Sequence, residues 1–487
     1  MAAAGRDRVG NIASSITGAS TAFGGAEPGT GKDCPQGADT DRGMGTSATY
    51  QRRATLAIVA FAVATALGAL APPAHAATSG VRASATAFPR NLRVVRIGSH
   101  AASLRWQATP GAARYEVYRD GTLRRSVAAV GVTETGLGIV RFHTWQVRAV
   151  FPDGSRSAMS VIAAGTTRHA GGCTLTADPQ GSDTATGLPG DPLRTARRLV
   201  DRLGAGDVGC LNGSFTEDLT INHGGTDASP LVLKSTPGTR ARLRGRFWIS
   251  NDANNVVVQD LNLDGRNRNG DDLPSPTIEG NNVRLVRNDI TNANTAICVI
   301  LGSIHGFGKA HWVVLDSNRI HHCGRRPAMN HHHGVYLENA FNTRIANNVI
   351  YSNADRGIQL YPNSQRALIV RNVIDGSGQG VIFSGNQGYA SSGNRLLDNV
   401  ITNSRLRYNI EYWWPEGNPI GRNNLAARNC LWNGAQGNVA DNPIGVTVRD
   451  NLIADPRYRA RASGDFRPAD GSGCRPLLLG IAPLRPF

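Results

Sequence analysis

The sequence predicts an all-β protein in which a parallel β-helix, a solenoid of stacked strands, follows a small β-sandwich. A short phrase that ends in an apolar residue recurs between Leu261 and Ile453 at intervals of 22 to 30 residues. Polar and apolar residues alternate within each phrase, and this period of two is typical of strands. No repeat contains a ten-residue amphipathic helical pattern. The chain therefore returns to the same strand without a helical crossover, as a parallel β-helix does.

Seven of the phrases carry an Asn two residues before the final apolar residue. We expect this Asn at one corner of every coil, because a buried amide there can bond its own backbone and the Asn of the next coil. The pattern predicts a structural ladder, with ligand binding by these Asn residues as the minor alternative. The seven are Asn288, Asn318, Asn348, Asn372, Asn399, Asn429 and Asn451.

Residues 1–76 are interpreted as a disordered leader followed by a signal peptide. Two Arg residues at 52–53 precede an apolar run at 54–70, and small residues at 74–76 provide a cleavage site. A charged, then apolar, then small-residue order is typical of secretory signals. We therefore expect a secreted protein with no membrane segment after cleavage. Residues 77–87 are the predicted linker to the first domain.

Cysteine usage agrees with export. Six cysteines follow the predicted cleavage site, and an even number in an exported chain favours disulfides. Six cysteines allow fifteen connectivities. Nearest-neighbour pairing is our expectation, with free buried thiols as the alternative. The expected pairs are Cys173 with Cys210, Cys298 with Cys323, and Cys430 with Cys474.

The basic composition does not indicate a nucleic-acid-binding protein. The formal net charge is +16, and all but three of the 52 basic residues are Arg. The Arg residues are scattered singly along the predicted strands, which indicates a compositional bias and not one basic face. A basic surface suits an acidic partner such as a uronic-acid polymer. We therefore expect an acidic extracellular polysaccharide as the partner, and a monomer.

Residues 88–167 predict a separate domain of short strands. Leu104–Trp106 is a strand with an inward Trp, Arg114–Arg119 alternates and ends at an Asp-Gly hairpin turn, and Thr144–Val150 alternates again. Short strands at such intervals make a β-sandwich. These phrases resemble a fibronectin type III domain. The resemblance implies a spacer, with a binding role as the alternative, and residues 168–172 are the linker that follows.

Residues 173–487 are the predicted β-helix domain. Residues 191–203 form an amphipathic pattern that predicts a helix capping the open end of the solenoid. The phrases at 213–216 and 230–235 follow it. Together with the Asn ladder, this entrance resembles right-handed parallel β-helix proteins of the pectate-lyase-like superfamily, which includes polysaccharide lyases of the chondroitinase and alginate lyase type. The resemblance implies a right-handed solenoid and leaves the catalytic residues open, since the family's known catalytic phrases are absent.

A second set of alternating strands predicts a sugar-binding groove. Its outward residues form two columns, in which acidic and aromatic side chains lie on one wall, and aromatic faces stack on pyranose rings. The alternative is that the tryptophans cover a neighbouring loop. The columns are Tyr336, Gln359, Ile382 and Glu411, and Glu338, Tyr361, Ser384 and Trp413. The substrate-binding candidates are Tyr336, Tyr361, Glu411, Trp413, Trp414, Arg325 and Arg326.

A polysaccharide lyase needs a base beside the uronate carboxyl and a cation to neutralise that carboxylate. We expect Lys309 or His333 as the base, Arg356 as the carboxylate partner and Glu338 as acid or cation ligand. A solvated loop lysine is the alternative for Lys309. A glycosidase instead needs two carboxyl groups about 5–10 Å apart. Glu338 and Glu411 are about three coils apart, roughly 14 Å, which is too distant.

Five histidines between His321 and His333 surround a loop that also contains Cys323. His and Cys are good ligands for zinc or copper, but this spacing matches no standard site. A substrate-binding histidine and a polar loop are the alternatives. The acidic stretch 264–272 makes calcium a candidate cofactor, although the spacing of its acidic residues is not that of an EF-hand. The sequence identifies no cofactor.

These observations together predict a secreted protein that acts on an acidic extracellular polysaccharide, and a lyase is the first hypothesis. A glycoside hydrolase and a non-catalytic polysaccharide-binding or adhesive protein are the alternatives. A further alternative is a metal-handling protein similar to the NosD proteins.

Overall fold

The computed structural model describes residues 87–169, 171–266 and 272–479. The predicted leader and signal peptide lie outside these residues. Within them, no helix is long and apolar enough to cross a membrane. The predicted fold class is confirmed, because the described chain is almost entirely β-structure and consists of a sandwich followed by a parallel β-solenoid.

The sandwich has one sheet in the order β1-β2-β5 and a second in the order β4-β3-β6-β7. All its strand pairs are antiparallel. The predicted inward Trp106 lies in its core beside the fully buried Trp145. Its strands are β1 (Arg93–Ile97), β2 (Ala102–Arg105), β3 (Arg114–Arg119), β4 (Thr122–Val127), β5 (Gly131–Glu134), β6 (Phe142–Val150) and β7 (Ala163–Thr166).

The solenoid follows, and each of its coils contributes one strand to each of three parallel sheets. In chain order its elements are β8 (Leu175–Ala177), α1 (Ala196–Arg202), β9 (Val208–Leu211), β10 (Ser214–Thr216), β11 (Leu219–Ile221), β12 (Leu231–Ser235), β13 (Arg242–Arg244), β14 (Phe247–Ile249), β15 (Val256–Gln259), β16 (Asn262–Asp264), β17 (Thr277–Ile278), β18 (Arg284–Val286), β19 (Asp289–Thr291), β20 (Val299–Leu301), β21 (Ala310–His311), β22 (Val314–Asp316), β23 (Arg319–His321), β24 (Val335–Phe341), β25 (Arg344–Ala346), β26 (Val349–Tyr351), β27 (Arg356–Gln365), β28 (Leu368–Val370), β29 (Val373–Asp375), β30 (Gln379–Asn386), β31 (Tyr389–Ala390), β32 (Arg395–Leu397), β33 (Val400–Thr402), β34 (Ile410–Trp413), β35 (Asn424–Ala427), β36 (Cys430–Trp432), β37 (Val446–Arg449) and β38 (Leu452–Ile453). A terminal segment adds β39 (Tyr458–Ala460), a 3-10 turn (Arg461–Ser463), β40 (Asp465–Pro468) and α2 (Arg475–Leu478).

We name the sheets by their order along each coil. The first sheet is β8-β9-β12-β15-β18-β22-β25-β28-β32-β35-β37, and the second is β10-β13-β16-β19-β23-β26-β29-β33-β36-β38. The third sheet is β11-β14-β17-β20-β24-β27-β30-β34, with β21 beside β24 and β31 antiparallel to β30. Inward apolar residues of the three sheets form one continuous core along the solenoid.

The capping helix is confirmed but is shorter than predicted, because α1 begins at Ala196 and not at residue 191. The reason is local. Thr195 is extended, and its hydroxyl accepts a hydrogen bond from the amide of Arg198, as an N-cap residue does. The helix buries Leu199 and Val200 against the open end of the solenoid.

The predicted Asn ladder is confirmed over all seven positions. At one rung, the side-chain amide of Asn318 donates to Oδ1 of Asn348 at 3.0 Å and to the carbonyl of Leu285 at 2.8 Å. The backbone amide of Asn318 donates to the same Oδ1 at 2.8 Å. Each amide therefore joins three coils, which explains why the residue is Asn at each repeat. The remaining rungs follow the same scheme.

The three disulfides have the nearest-neighbour pairing that the sequence predicts. Cys298 and Cys323 join neighbouring coils from within the solenoid core. Cys430 and Cys474 fasten the terminal segment to the second sheet. The alternative of free thiols is therefore wrong for these six residues.

The sandwich packs directly on the outer face of the first sheet, which its interpretation as a spacer does not predict. Ile162 and Ala164 pack against apolar residues of β25, β28, β32 and β35. The amide of Ile162 donates to the carboxylate of Asp398 at 3.1 Å, and the amide of Thr166 donates to that of Asp316 at 2.6 Å. Near the other end of the sheet, Val140 packs against β9, β12 and β15. The sandwich thus covers much of the length of the first sheet.

The terminal segment covers the outer face of the second sheet. Phe466, Leu477 and Leu478 pack with valines of β26, β29 and β33. Arg371 donates to the carbonyl of Pro476 at 3.0 Å, which holds α2 in place. Two of the three outer faces are therefore occupied by the chain itself. The third sheet carries half-exposed aromatic side chains on its outer face and is the place to look for a site.

Candidate functional site

The outer face of the third sheet has the columns of side chains that the sequence predicts. Tyr336, Gln359, Ile382 and Glu411 occupy one register. The same register extends toward the N-terminus through Trp248, Thr277 and Ile300. The second column is regular at Ser384 and Trp413, whereas β24 has a bulge between Leu337 and Asn339 that includes Glu338.

The second column also contains an acidic residue that the sequence reading missed. The strands β17, β20 and β24 pair so that Ile278, Leu301 and Leu337 are in register. The next residue of each strand therefore lies beside its counterpart on the neighbouring coil. These residues are Glu279, Gly302 and Glu338. Glu279 and Glu338 are therefore two strands apart, which is about 10 Å at the spacing of parallel strands. Gly302 between them contributes no side chain.

Both carboxyl groups are held in an environment that favours the protonated form. Burial, together with the charge of Glu279, raises the pKa of Glu338 to about 7, against the opposing effect of a hydrogen bond from the backbone amide of Ile304. Burial also raises the pKa of Glu279 to about 7, against the opposing effect of a hydrogen bond from Trp248. The exposed fractions are 5% for Glu279 and 3% for Glu338. Two carboxyl groups with raised pKa on one face are typical of a site for acid–base chemistry.

A short loop, residues 303–308, lies over the two carboxyl groups. The amide of Ser303 donates to the carbonyl of Gly308 at 2.9 Å, which closes the loop. Gly308 has φ of +144°, and a Cβ atom there would lie 3.2 Å from Cβ of Glu279, so the loop passes close to that side chain. Nε2 of His305 lies 3.7 Å from Oε1 of Glu338. The loop therefore accounts for much of the burial of this pair.

Trp248 distinguishes the two carboxyl groups. Its indole Nε1 donates to Oε2 of Glu279 at 2.9 Å, and a donor of this kind favours the charged form of the acceptor. The guanidinium of Arg246 lies over the indole ring, 5.9 Å from its centroid. Oε1 of Glu338 is buried without a hydrogen-bond partner. The backbone amide of Ile304 likewise donates to Glu338 and favours its charged form, so the two groups differ chiefly in that the charge of Glu279 favours the protonated form of Glu338.

Aromatic rings form a row beside Glu338, as the sequence predicts for this wall. Tyr336 and Tyr361 are stacked with ring centroids 6.3 Å apart, and Tyr361 and Trp413 follow at 6.2 Å. His333 meets the edge of Tyr336 at 5.6 Å. Tyr361 and Trp413 are half-exposed, so their rings are the accessible part of the row.

Trp414 and Glu411 have partners within the chain. The indole Nε1 of Trp414 donates to the carbonyl of Ile444 at 2.8 Å, so this ring covers a neighbouring loop, which was the alternative reading for the tryptophan pair. Glu411 forms an ion pair with Arg407 and is only 4% exposed. Neither residue contacts the Glu279–Glu338 pair in this arrangement.

Lys309 lies beside an aromatic ring of β24. Its ammonium group is 5.9 Å from the centroid of the Phe341 ring, three residues farther along β24 than Glu338. No ion pair joins Lys309 to Glu338 in the described part of the chain. Its expected role as the base stays a prediction.

Arg356 and His333 are also enclosed by the chain. Nε of Arg356 donates to Gln379 at 2.9 Å, and its terminal nitrogens donate to the carbonyl and side chain of Asn330 at 2.9 and 2.6 Å. A guanidinium so engaged is not free to hold a substrate carboxylate. Burial, aided by the nearby charge of Arg356, holds the pKa of His333 well below its usual value, so the imidazole is neutral. Its exposed fraction is 3%.

Arg325 and Arg326 lie on the loop between β23 and β24. Arg325 forms an ion pair with Asp272 at 3.1 Å, and Arg326 donates to the carbonyl of Ser352 at 3.0 Å. These contacts place Arg326 toward the second sheet, so the structure does not bring it to the aromatic row.

The five clustered histidines do not all converge on one point, although Nδ1 of His321 lies 2.8 Å from Nδ1 of His322. Nε2 of His321 lies 3.0 Å from Asp289 and its ring stacks on Tyr351, on the second sheet. His332 lies 3.2 Å from Asp272, and His333 faces the aromatic row. Among residues 87–169, 171–266 and 272–479, no group of three or more His, Cys, Asp or Glu side chains is placed to hold a metal ion. Residues 267–271, within the acidic stretch considered for calcium, are outside those ranges.

Glu279 escaped the sequence reading because its strand is short. β17 contains only Thr277 and Ile278, so the alternation that identified the later columns is not visible there. The detectable signal was the apolar-acidic pair shared by Ile278-Glu279 and Leu337-Glu338.

Comparisons with known proteins agree with this architecture. Residues 249–453 match the family model described as the right handed beta helix region. The poly(3-hydroxybutyrate) depolymerase of Ralstonia pickettii is 35% identical over 88 residues, which is 18% of this chain and 18% of that protein. The chain thus matches less than a fifth of the length of this curated relative.

Solved structures with a similar shape include examples for both parts. The family 28 exopolygalacturonase of Yersinia enterocolitica is 14% identical, with 74% of this chain and 85% of that chain covered and a TM-score of 0.45. An Fn3-like protein from Clostridium thermocellum is 30% identical, with 17% of this chain and 92% of that chain covered and a TM-score of 0.16. From its sheets and its family match, this chain is a right-handed parallel β-helix protein with an N-terminal fibronectin type III-like domain.

Proposed function

We propose that the protein is a secreted glycoside hydrolase that cuts an extracellular polysaccharide, with Glu279 and Glu338 as its catalytic pair. The observation that carries this proposal is the shared column of two buried carboxyl groups whose pKa values are both raised to about 7. Glycosidases use one carboxylic acid to protonate the leaving oxygen and a second carboxylate as base or nucleophile. The sequence favours a lyase as the first hypothesis, whereas the Glu279–Glu338 pair favours a hydrolase.

The two roles follow from the surroundings of each group. Glu338 keeps its proton because it is buried and faces the charge of Glu279, so it is the general acid. Glu279 accepts a hydrogen bond from Trp248, which stabilises its carboxylate, so it is the general base. In the reaction, Glu338 gives its proton to the glycosidic oxygen while Glu279 takes a proton from the attacking water.

The separation of the pair favours inversion of configuration. Two strand spacings correspond to about 10 Å between backbones. Inverting enzymes hold their carboxyl groups about 6.5–9.5 Å apart to leave room for water, whereas retaining enzymes need about 5 Å. A water molecule between Glu279 and the sugar fits the wider arrangement.

Aromatic rings flank the pair along the axis of the solenoid. Trp248 lies on the N-terminal side, and Tyr361 and Trp413 lie on the C-terminal side. Sugar rings on both sides of the cleaved bond would find a stacking surface. Because both carboxyl groups are nearly buried, substrate entry requires displacement of the loop 303–308.

A polysaccharide lyase remains the second candidate, and its supporting observation is His333. A neutral imidazole with an unpaired, buried Nδ1 beside Tyr336 is able to accept a proton. The enclosed Arg356 counts against it. Secretion is supported by the three disulfides, because such bonds persist in oxidising compartments. The acidity of the polymer and a monomeric state stay part of the proposal.

The test is digestion of a panel of acidic and neutral polysaccharides by the purified mature protein. Two signals are followed together, new reducing ends and the ultraviolet absorbance of an unsaturated product. Reducing ends without the unsaturated product, with an inverted anomer in the first product, support the hydrolase. An unsaturated product supports the lyase. Binding of a polymer without either product supports the non-catalytic alternative and contradicts both enzymes.

A further inference from the structure

A second surface lies beside the groove, at the corner between the third and the first sheet. Trp312 occupies this corner with φ of +59° and is 51% exposed. On neighbouring coils the equivalent corner residues are Asn282 and Asn342, with φ of +54° and +57°. Asn is enriched in this left-handed region, and bulky residues are uncommon there in general, although Arg366 adopts it at the same corner of this solenoid. An exposed indole at such a position points to a function of the ring itself.

Aromatic and basic residues lie next to Trp312 in the chain and on the following coils. The ring of His311 stacks on Phe341 with centroids 4.7 Å apart, and the ammonium group of Lys309 lies 5.9 Å from the Phe341 centroid. Arg366 occupies the same corner two coils from Trp312 and is exposed. Its Nε donates to Oδ1 of Asn342 at 2.9 Å, which holds the guanidinium at the corner. We call Lys309, His311, Trp312, Phe341 and Arg366 the corner patch.

The charges of the corner patch act together. Burial lowers the pKa of His311, and the positive charges of Lys309 and Arg366 lower it further, so both cations lie near this ring. His311 is therefore neutral near pH 7, and the net charge of the patch comes from Lys309 and Arg366. Its five members include no acidic residue. A ligand that satisfies this surface must combine a flat apolar face with a negative charge.

We propose that the corner patch binds a uronate residue of an acidic polysaccharide, separately from the Glu279–Glu338 pair. The exposed indole of Trp312 stacks on the pyranose ring, and Lys309 and Arg366 contact its carboxylate. The identity of the ligand as a polysaccharide rests on the proposed function. The assignment gives Lys309 a binding role in place of the catalytic role expected from the sequence.

The test separates binding from catalysis. Affinity electrophoresis is run with the full mature protein carrying Glu279→Gln and Glu338→Gln, so that the polymer in the gel is not consumed. The probes are polygalacturonate, which carries carboxylates, a sulfated glycan without uronate (keratan sulfate), and neutral dextran. Trp312→Asn and Lys309→Ala are compared with Trp432→Ala, which removes a 38% exposed Trp from the second sheet. Trp312→Asn restores the corner residue of the neighbouring coils, so its melting temperature should not fall.

We expect polygalacturonate to retard the parent protein and dextran to leave it unretarded. Trp312→Asn should weaken the binding of polygalacturonate about tenfold, which is 1.4 kcal/mol. Lys309→Ala should weaken it several-fold, with a smaller loss at high salt because the contact is ionic. Trp432→Ala should bind as the parent does.

Four results would overturn the assignment: no retardation by polygalacturonate, equal retardation by dextran, retardation by the sulfated glycan alone, or unchanged binding in Trp312→Asn. None of these results depends on cleavage. Failure of the corner patch is therefore distinguishable from failure of the proposed hydrolase, which is judged by products of the unmodified protein.

Discussion

Glu279 and Glu338 face the same side of the third sheet from strands two coils apart, and both carboxyl groups are almost inaccessible to solvent. Nothing in the core of the solenoid requires a carboxyl group at either position, because both side chains lie on the outer face. Burying these carboxyl groups costs free energy, and apolar residues at the same two positions would avoid that cost. This relationship is the basis of the proposed chemistry and of the first two predictions.

The buried pair should make stability depend on pH. The pKa of each group is raised from 4.5 to about 7 on folding, so each proton is bound more tightly in the folded chain. The contribution is fully present below pH 4.5 and is lost as the pH rises through about 7. We expect a loss on the order of 3 kcal/mol per group, since one pKa unit corresponds to 1.36 kcal/mol.

Urea unfolding between pH 4 and pH 8 checks this dependence. The double variant Glu279→Gln/Glu338→Gln should lose that part of the pH dependence, because Gln does not titrate. A double variant whose stability changes with pH as the unmodified protein does would contradict the raised pKa values.

Trp248→Phe should separate the two catalytic roles. The change keeps an aromatic ring but removes the donor to Oε2 of Glu279, so the pKa of Glu279 should rise. A hydrogen bond to a charged group is worth about 1.5–3 kcal/mol, so the acidic limb of the pH–rate profile should move up by about one unit. The control Trp432→Phe, at an exposed position on the second sheet, should leave the pH–rate profile unchanged. Equal profiles for Trp248→Phe and the unmodified protein would remove Glu279 from the role of base.

The sandwich and the solenoid should unfold as one unit. Ile162 is buried against Ala346, Val370 and Leu397, and its amide is held by Asp398. Ile162→Asp would bury an unpaired charge in this contact. Calorimetry should then show either two separate transitions or a single transition whose free energy of unfolding is lower by about 3–5 kcal/mol. Val95→Asp is the control, since Val95 is 47% exposed. Identical melting of both variants would mean that the contact does not couple the two domains.

The Asn ladder should be intolerant of truncation. Asn348→Ala removes the acceptor of two hydrogen bonds from Asn318 and the donor of bonds to Leu315 and Asn372. Each buried group left unpaired costs about 1–3 kcal/mol, so we expect a loss of about 3–5 kcal/mol in the free energy of unfolding. Denaturant unfolding measures it. A loss below about 1 kcal/mol would indicate that the ladder follows from the coil geometry and does not stabilise it.

The repeating features of the fold were predictable because they are local and recur at each coil. The Asn of each phrase and the outward columns after Val335 are visible in short stretches of sequence. Both were confirmed because adjacent coils stack in register, so that sequence repeats become spatial neighbours. The disulfide pairing was an expectation among fifteen connectivities, and the structure confirms it.

The features that were missed depend on contacts between distant residues or on short strands. Ile162 and Asp398 are 236 residues apart, so no local pattern reveals that the sandwich packs on the first sheet. Glu279 follows a strand of two residues, which is too short to show alternation. Lys309 lies in a loop, as the sequence predicts, but the pairing of Ala310 and His311 with β24 and the contact of Lys309 with Phe341 could not be predicted.

The measurement that tests the central claim most directly is the turnover rate of Glu338→Gln and Glu279→Gln on the polysaccharide that the unmodified protein cleaves. We predict that each change lowers kcat by about 10²–10⁴, the usual contribution of a general acid or base, with no loss of melting temperature at pH 7 or above, because Gln does not ionise. Glu416→Gln, at an exposed position on a loop, should keep full activity. Full activity of both active-site variants, with their fold intact, would contradict the assignment of Glu279 and Glu338 as the catalytic pair.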